Sequence, residues 1–359
     1  MYKIGIIGLG FLGGSLAKAL KNTGEVDYII ALDKSEESLN LAKEEGVIED
    51  YSLEIDGRFS VCDFVFICTP VSFIVDYAKA LEKVVKHDCI ITDTGSTKKS
   101  IIESLKDLNV EFIGAHPMIG SERSGYQTSK DLLFENSYYI ITKHEGNKEE
   151  NIEKLKGIIE LIKAIPVIID SDKHDFITAA ISHVPHVIAS SLVNLVKTLD
   201  DEAETMKMLA AGGFKDITRI ASSDPTMWQN ICLDNKEEIL KVISVLENII
   251  DNFKAGIDSK DSTYGFFDQA KTYRDSFINR KINGTTMPEL NISVKDENGA
   301  IAKITTILSA NEIGIKNIEV LNNRENNFGA LRLVVRSYEE RDKGYEVLTG
   351  YGFDVVKVN

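Results

Sequence analysis

Cysteine is scarce in this chain, and the cysteines that it has stand far apart. Cys62, Cys68, Cys89 and Cys232 form no C-x-x-C pair and no spacing typical of metal ligands, so we expect no bound metal. Cys68 and Cys89 lie in apolar runs, where a thiol behaves as a small hydrophobic group. Free thiols suit a reducing compartment, so the expected location is the cytoplasm.

Positive charge is also in short supply. The 41 Lys and Arg residues are outnumbered by 56 Asp and Glu residues, which leaves a formal net charge of −15. Because an acidic surface repels nucleic acid and anionic lipid, neither is an expected partner. An anionic ligand must therefore be bound by a local group of donors.

Long apolar runs are absent from the sequence. No run of 18 apolar residues occurs, which predicts no transmembrane helix. The apolar stretch near Met1 carries five glycines and continues to Lys18 and Lys21 without a small-x-small cleavage site. We therefore do not expect it to be a signal peptide.

The first 170 residues alternate short apolar runs with segments of helical period, such as 73–85 and 97–108. This alternation predicts right-handed β-α-β units and a largely parallel, doubly wound sheet of the Rossmann type over residues 1–170. The predicted strands are Lys3–Gly8, Tyr28–Asp33, Asp63–Pro70, Cys89–Thr94, Glu111–His116, Tyr138–Thr142 and Pro166–Asp170.

Two further domains are expected after the sheet. From Ser171 the pattern is almost purely helical, which predicts an all-helical domain over residues 171–284. Residues 289–359 follow the order strand, helix, strand, strand, helix, strand, which predicts a ferredoxin-like βαββαβ module after the polar linker Asn279–Pro288. The helices of the second domain are predicted at 173–199, 202–212, 225–233 and 235–256.

A glycine-rich turn follows the first predicted strand and opens a helix. Gly8, Gly10 and Gly13 form a G-x-G-x-x-G motif, whose glycines permit a tight turn, close approach to a pyrophosphate and close helix packing. Asp33 ends the second strand, 20 residues after Gly13. A carboxylate there accepts hydrogen bonds from both ribose hydroxyls and repels a 2′-phosphate, which predicts NAD as the cofactor rather than NADP.

The end of the strand Asp63–Pro70 is expected to complete the cofactor site. Strand ends at the carboxyl edge of an open α/β sheet line its ligand crevice. The residues predicted to bind NAD are Gly8, Gly10, Leu12, Gly13, Asp33, Thr69 and Pro70.

Polar residues also follow two later strands. In the segment DTGSTK, Ser96 is either the N-cap of the next helix or a site residue. In GAHPMIGSE, His116 is expected at the carboxyl edge beside the nicotinamide. A histidine there can take a proton from an alcohol while hydride leaves the carbon; a purely structural histidine is the alternative.

The helical domain carries a third polar cluster. His183 and His186 stand three residues apart on a helix that Pro185 disturbs, but no carboxylate stands at the matching turn, so a metal site is not expected. Arg219 and Trp228, the single Trp, lie in the segment GFKDITRIASSDPTMW. Arg219 is either a surface residue or, with His183, the anion clamp that an acidic protein needs for an anionic substrate.

Taken in order, the glycine turn, DTGSTK, GAHPMIGSERSG, SHVPH and GFKDITRIASSDPTMW resemble the prephenate dehydrogenases of tyrosine biosynthesis. The resemblance covers residues 1 to about 275. It implies that NAD oxidises a ring alcohol and that carbon dioxide leaves as the ring becomes aromatic. It also implies that His116 accepts the hydroxyl proton and that Ser96 orients the hydroxyl and the nicotinamide.

The same resemblance implies a substrate pocket in the helical domain. Arg219 would bind a substrate carboxylate with His183 nearby, and Glu122 would belong to an ionic gate at the pocket mouth. The implied substrate-binding residues are Arg219, His183, Asp216, Trp228 and Glu122.

Residues 289–359 resemble an ACT domain, a small amino-acid-binding regulatory module. The segment DENGAIA is similar to its strand-to-helix turn, although Asn298 stands where a proline is usual. The resemblance implies feedback inhibition by an amino acid, expected to be tyrosine with phenylalanine as the second candidate, bound near Asn298, Gly299 and Ile313. A purely structural or dimerising module is the alternative.

Several interpretations of the function stay open at this point. The first alternative is the same chemistry on arogenate, a cyclohexadienyl substrate whose amine could pair with Asp224. A β-hydroxyacid dehydrogenase would need a catalytic lysine, and the helix 173–199 offers only Lys173 and Lys197 near its ends. A non-catalytic sensor of NAD and an amino acid would bind the cofactor without turnover. The apolar faces of the helical domain predict a homodimer.

Overall fold

The structure, a computed structural model, describes residues 1–120, 124–277, 281–282, 285–286, 288–295, 297–321 and 328–358. Glu122 and Asp296 lie outside the described residues. The chain divides into two compact units, Met1–Ile249 and Ile250–Asn359.

The first unit contains an eight-stranded sheet. Its strands are β1 (Tyr2–Ile7), β2 (Val26–Leu32), β3 (Asp50–Ser52), β4 (Phe64–Ile67), β5 (Ile90–Asp93), β6 (Glu111–Pro117), β7 (Tyr138–Lys143) and β8 (Ile165–Asp170). They are ordered β3-β2-β1-β4-β5-β6-β7-β8. Neighbouring strands are parallel except β6 and β7, which pair antiparallel, so β7 and β8 run opposite to the rest. The predicted Rossmann-type sheet is confirmed, but the short strand β3 was not predicted.

Helices cover both faces of this sheet. The central strands β1 and β4 are buried on both sides, as apolar runs in parallel sheets usually are. Ile4 and Ile6 pack into one core together with α1 and α5, while Ile7 and Ile67 pack into a second core together with α3 and α4. The helices are α1 (Phe11–Asn22), α2 (Glu36–Glu44), α3 (Val71–Leu81), α4 (Lys99–Leu105) and α5 (Glu149–Leu161).

Beyond β8 the chain is helical, as predicted. Two short helices, α8 and α9, replace the single helix predicted at 202–212. The pair Gly212-Gly213 has a low helix propensity, and α9 begins at this pair. The helix α12 was not predicted. The helices are α6 (Ser171–Thr178), α7 (Val184–Leu199), α8 (Thr205–Leu209), α9 (Gly212–Thr218), α10 (Pro225–Asp234), α11 (Lys236–Gly256) and α12 (Lys260–Ser276).

One continuous helical stretch, Ser171–Leu199, joins α6 to α7 through a wide π turn at Ala179–His183. Within the described part of the chain it is the one helix that is long and apolar enough to cross a membrane, by length and composition alone. One such helix is weak evidence for a membrane span, and the sequence itself holds no run of 18 apolar residues. A core helix meets the same criterion, and this one carries the buried polar residues His174, Asp175 and His183.

The second unit contains a four-stranded antiparallel sheet, ordered β12-β13-β11-β14. The predicted order of strands and helices is confirmed over residues 289–358. The residues of its core include Leu290, Ile304, Leu333 and Leu348. Its elements are β11 (Glu289–Lys295), α13 (Ala300–Ala310), β12 (Ile315–Leu321), β13 (Phe328–Val335), α14 (Tyr338–Gly350) and β14 (Asp354–Val358), preceded by the short pair β9 (Lys281–Ile282) and β10 (Thr285–Thr286).

Candidate active site

The turn between β1 and α1 is shaped by its glycines. Gly8 has a φ of +93°, and a Cβ there would lie 2.8 Å from the carbonyl oxygen of Cys68. A Cβ on Gly13 would lie 1.9 Å from the carbonyl oxygen of Gly8, so α1 packs this closely only with glycine. Among the described residues, a Cβ on Gly10 would meet no atom within 4 Å, whereas Leu12 packs against the core. The N-terminus of α1 is thus open to a phosphate group.

Asp33 stands directly after β2, at the carboxyl edge of the sheet. One of its oxygens accepts the backbone N–H of Leu9 at 2.6 Å, and the other accepts that of Ser35 at 2.8 Å. These bonds fix the carboxylate beside the glycine turn and leave a lone pair on each oxygen. The geometry suits two ribose hydroxyls.

Thr69 and Pro70 follow β4 at the same edge. The hydroxyl of Thr69 is buried and has no hydrogen-bond partner among the described residues. Pro70 is exposed and is the N-cap of α3. A buried hydroxyl without a partner calls for an explanation, and a bound ligand supplies one.

A buried ion pair holds the loop DTGSTK in place. The ammonium of Lys98 lies 2.5 Å from the Asp93 carboxylate, and both side chains are fully buried. The same ammonium donates to the carbonyl oxygens of Gly95 and Thr97, at 2.8 and 2.9 Å. The second oxygen of Asp93 accepts the backbone N–H of Ala115, which ties the loop to β6. All three N–H groups of Lys98 are therefore used inside the protein.

The helix α4 after this loop is capped from another part of the chain. The backbone N–H groups of Lys98 and Lys99 donate to the two carboxylate oxygens of Asp175, at 2.8 and 2.9 Å. Ser96 is half-buried and lies two residues before the N-cap position at Lys98. The N-cap alternative for Ser96 is therefore wrong.

A hydrogen-bonded chain of two histidines and a carboxylate lies at the end of β6. Nδ1 of His116 lies 3.0 Å from Nε2 of His174, and Nδ1 of His174 lies 2.7 Å from Oδ1 of Asp175. All three residues are buried. Burial, with smaller contributions from His174, Lys98 and His183, holds the pKa of His116 well below its usual value. His116 is therefore neutral at physiological pH, as a proton acceptor must be.

His183 lies on the π turn and faces the same region. Its Nδ1 is 3.0 Å from Nδ2 of Asn235, which also donates to the carbonyl oxygen of Asp175 at 2.8 Å. Because Asn235 donates to Nδ1, the ring proton of His183 is on Nε2, which is buried and has no partner among the described residues. Burial lowers the pKa of His183 to about 4. His183 thus offers a neutral N–H donor.

Trp228 packs between the two histidines of the motif SHVPH. It stacks on His186, with ring centroids 3.7 Å apart, and meets His183 edge to face at 6.0 Å. Its indole N–H is buried and has no partner among the described residues. Within those residues no group of three or more His, Cys, Asp or Glu side chains could hold a metal ion.

Arg219 and Asp216 are exposed near this cluster. Burial lowers the pKa of His186, and a hydrogen bond to the backbone of Ser182 partly opposes this. The positive charge of Arg219 also lowers the pKa of His186, so the guanidinium lies near that ring. Asp224 is the N-cap of α10, with a carboxylate oxygen that accepts the backbone N–H of Met227 at 2.7 Å.

Three residues of this site escaped the sequence analysis: His174, Asp175 and Asn235. Their partners lie 52 to 77 residues away in the chain, so no local motif joins them. The signal available was the adjacent pair His174-Asp175, which stands in the first turns of the helix that follows the last strand of the sheet.

Comparison with known proteins identifies the family. The family model described as "Prephenate dehydrogenase, nucleotide-binding domain" matches residues 16–168, and "Prephenate dehydrogenase, dimerization domain" matches residues 170–269. A prephenate dehydrogenase of Bacillus subtilis is 35% identical over 350 residues, which are 96% of this chain and 94% of that protein. The chain belongs to the prephenate dehydrogenase family.

Solved structures of similar proteins agree with this assignment. Prephenate dehydrogenase from Aquifex aeolicus, in complex with hydroxyphenyl propionate and NAD⁺, is 31% identical with a TM-score of 0.73, covering 77% of this chain and 98% of that one. An arogenate dehydrogenase from Synechocystis is 25% identical with a TM-score of 0.70, covering 77% of this chain and all of that one. The similarity to prephenate dehydrogenases predicted from the motifs is confirmed.

The two matched domains of the family divide the site between them. The nucleotide-binding match contains Ser96 and His116, whereas the dimerization match contains His174, His183 and Arg219. The hydrogen bond between His116 and His174 thus joins the two parts within the first unit.

Proposed function

We propose that this chain oxidises prephenate with NAD and releases carbon dioxide, which forms 4-hydroxyphenylpyruvate for tyrosine biosynthesis. The observation that carries the proposal is a neutral, buried His116, held by His174 at the carboxyl edge of a sheet that also forms a dinucleotide site. Membership of the prephenate dehydrogenase family supports the substrate. NAD, when bound, accepts the hydride.

The protein residues supply orientation and one proton acceptor. Gly8, Gly10, Leu12, Gly13, Asp33, Thr69 and Pro70 would hold NAD. His116 would take the proton of the ring hydroxyl, and Ser96 would orient that hydroxyl. Loss of hydride leaves a β-keto-acid-like dienone, whose decarboxylation is driven by aromatisation, so no strong nucleophile is needed.

The helical part of the site would bind the anionic end of the substrate. The buried N–H groups of His183 and Trp228 have no partner among the described residues, so each is available to a carboxylate or keto oxygen. Arg219 would pair with a carboxylate near His186, and Asp216 would support it. Glu122 would contribute to a gate at the pocket mouth. Residues 1–170 would then bind NAD and supply Ser96 and His116, and residues 171–284 would bind the anionic end of the substrate.

Arogenate is the second candidate substrate, because an arogenate dehydrogenase shares this fold over its whole chain. The test offers NAD with prephenate and with arogenate in separate assays and follows the absorbance of the reduced cofactor. Turnover of prephenate at the higher kcat/KM supports the proposal. Faster turnover of arogenate replaces it with the second candidate, and no turnover of either refutes both.

NAD is expected to be strongly preferred over NADP, because a 2′-phosphate would face the carboxylate of Asp33. The measurement is kcat/KM with each cofactor. Asp33→Ser should bring the kcat/KM values for NAD and NADP closer together. Asp27→Ser, at an exposed position on β2, should leave the ratio of the two values unchanged. Equal use of both cofactors by the unaltered enzyme would contradict the assignment.

Arg219→Gln is expected to raise KM for the substrate by roughly 10- to 100-fold, the worth of a hydrogen bond to a charged group, and to change kcat much less. The bond would form in both the ground state and the transition state. The control is Lys215→Gln, at an exposed position on α9. An unchanged KM in Arg219→Gln would place the carboxylate elsewhere.

The second unit would act as an ACT regulatory domain over residues 289–359. Its βαββαβ order supports this role. Asn298 and Gly299 are exposed, and Gly299 has a φ of +86° as the N-cap of α13. Ile313, in contrast, is buried in the core, so its side chain is not open to an effector. At Ile313 an effector could therefore contact only the backbone.

Tyrosine is expected to inhibit the full chain, whereas a chain that ends at Gly284 should stay active and lose most of that inhibition. Inhibition requires that tyrosine bind two states of the enzyme with different affinity. The measurement is a tyrosine titration of both proteins at the same substrate concentration. Equal inhibition of both would show that tyrosine acts only at the active site.

The oligomeric state of the chain and its cellular compartment are part of the same proposal. The family's dimerization domain matches residues 170–269, which supports a homodimer of this chain. Its four free thiols suit the cytoplasm.

A further inference from the structure

We propose that His174 and Asp175 are positioning residues, which fix the ring proton of His116 on Nδ1 and leave Nε2 free to accept the substrate's proton. The proposal rests on the proposed role of His116 as the proton acceptor. Neither residue needs to touch the substrate.

The tautomers follow from which atoms can donate. The carboxylate of Asp175 can only accept, so the nitrogen that faces it at 2.7 Å, Nδ1 of His174, carries a proton. Nε2 of His174, which is neutral because burial lowers its pKa, must then accept. The group that donates to it at 3.0 Å is Nδ1–H of His116. The lone pair of His116 therefore lies on Nε2.

The chain of bonds depends on Asp175 staying ionised inside the protein. Burial favours the neutral acid, but the hydrogen bonds from His174, Lys99 and Lys98 outweigh it and hold the pKa of Asp175 below its usual value. The backbone N–H groups at the start of α4 come from the loop that the Asp93–Lys98 pair fixes. The same loop thus positions both Ser96 and, through Asp175 and His174, the ring of His116.

The same hydrogen bonds would also stabilise His116 after it has taken up a proton. The hydroxyl O–H bond would break as its proton bonds to Nε2 of His116, and the C–H electron pair would leave the ring carbon as the hydride that bound NAD would accept. The imidazolium so formed keeps its Nδ1–H bond to His174, and the Asp175 carboxylate beyond it carries the compensating charge.

The first test is made on the unaltered enzyme, and the variant His116→Asn serves only to assign the signals of His116. Nitrogen-15 and proton correlation spectra of the full-length enzyme show which nitrogen of each of the six histidines carries a proton. The signals of His116 are those lost in His116→Asn. The proposal expects a protonated Nδ1 and an unprotonated Nε2 on His116, and a protonated Nδ1 on His174. A proton on Nε2 of neutral His116 overturns it.

The second test separates positioning from folding. His174→Leu removes the acceptor for His116 and should lower kcat by about 100-fold, with KM changed less than about twofold. His174→Gln keeps an acceptor oxygen and should restore most of kcat and the Nδ1–H signal of His116. His144→Leu, at a hydrogen-bonded histidine outside the site, is the matched control. Full kcat in His174→Leu overturns the proposal.

The outcomes distinguish this proposal from the one on which it rests. If His116→Asn keeps its kcat, the proposed function of His116 fails whatever His174 does. If His116→Asn is inactive while His174→Leu has the kcat and the tautomer of the unaltered enzyme, only the positioning role fails.

Discussion

Replacing His116 with asparagine is expected to lower kcat by roughly 10²–10⁴-fold, the usual worth of a positioned acid–base group. Asparagine can still donate to His174 but cannot accept the hydroxyl proton, so substrate binding should change less. Because burial lowers the pKa of His116, the acid limb of kcat/KM should lie below pH 6.5, where an ordinary imidazole would already be protonated.

His144→Asn is the control for this variant, since His144 is also hydrogen-bonded but lies outside the site. The measurements are kcat and KM at several pH values for both variants and the unaltered enzyme. A His116→Asn enzyme that retains most of its kcat would show that this histidine is structural.

Breaking the buried ion pair is expected to have the largest effect on stability. Asp93→Asn leaves the ammonium of Lys98 buried without a compensating charge, which should lower the free energy of unfolding by about 3–5 kcal/mol. Replacing both residues together, as Asp93→Leu with Lys98→Met, should cost less than the sum of the two single changes, because no buried charge remains. Denaturant unfolding of Asp93→Asn, of the single variants Asp93→Leu and Lys98→Met, and of the double variant measures this.

The matched control for the ion pair is Glu150→Gln, which breaks a solvent-exposed pair with Lys154. Exposed pairs contribute little, so its denaturation midpoint should match that of the unaltered protein. If Asp93→Asn were as stable as Glu150→Gln, the idea that this pair anchors the loop DTGSTK would have to be abandoned.

Local patterns account for the parts of the fold that could be predicted. The glycine turn and Asp33 were found because their partners lie within one β-α-β unit, at a spacing that the geometry of the turn dictates. Strand direction was not predictable in the same way. Nothing in the apolar run of β7 distinguishes a parallel from an antiparallel neighbour, and β3, with three residues, is too short to show a period.

In the site, too, contacts between residues that are far apart in the sequence could not be predicted from local patterns. His116 could be proposed because it ends a strand at the carboxyl edge. The residue that orients it, His174, comes 58 positions later, and that contact depends on how the first helix after the sheet packs. Ser96 was given a helix N-cap as its alternative role, whereas Asp175, which is 76 residues from Lys99, performs the capping.

The wide turn at Ala179–His183 bears on how this sequence should be aligned with its relatives. Successive residues of a regular α-helix are rotated by about 100°, so His174 and His183, nine positions apart, would face opposite sides. The π turn accommodates one extra residue. The two histidines are therefore about 80° apart around the helix axis, as two residues eight positions apart would be in a regular α-helix. The π turn has the same effect on the helix as a one-residue insertion that leaves the facing of the residues on either side unchanged. A relative with an unbroken helix should therefore align with a single gap between its two histidines.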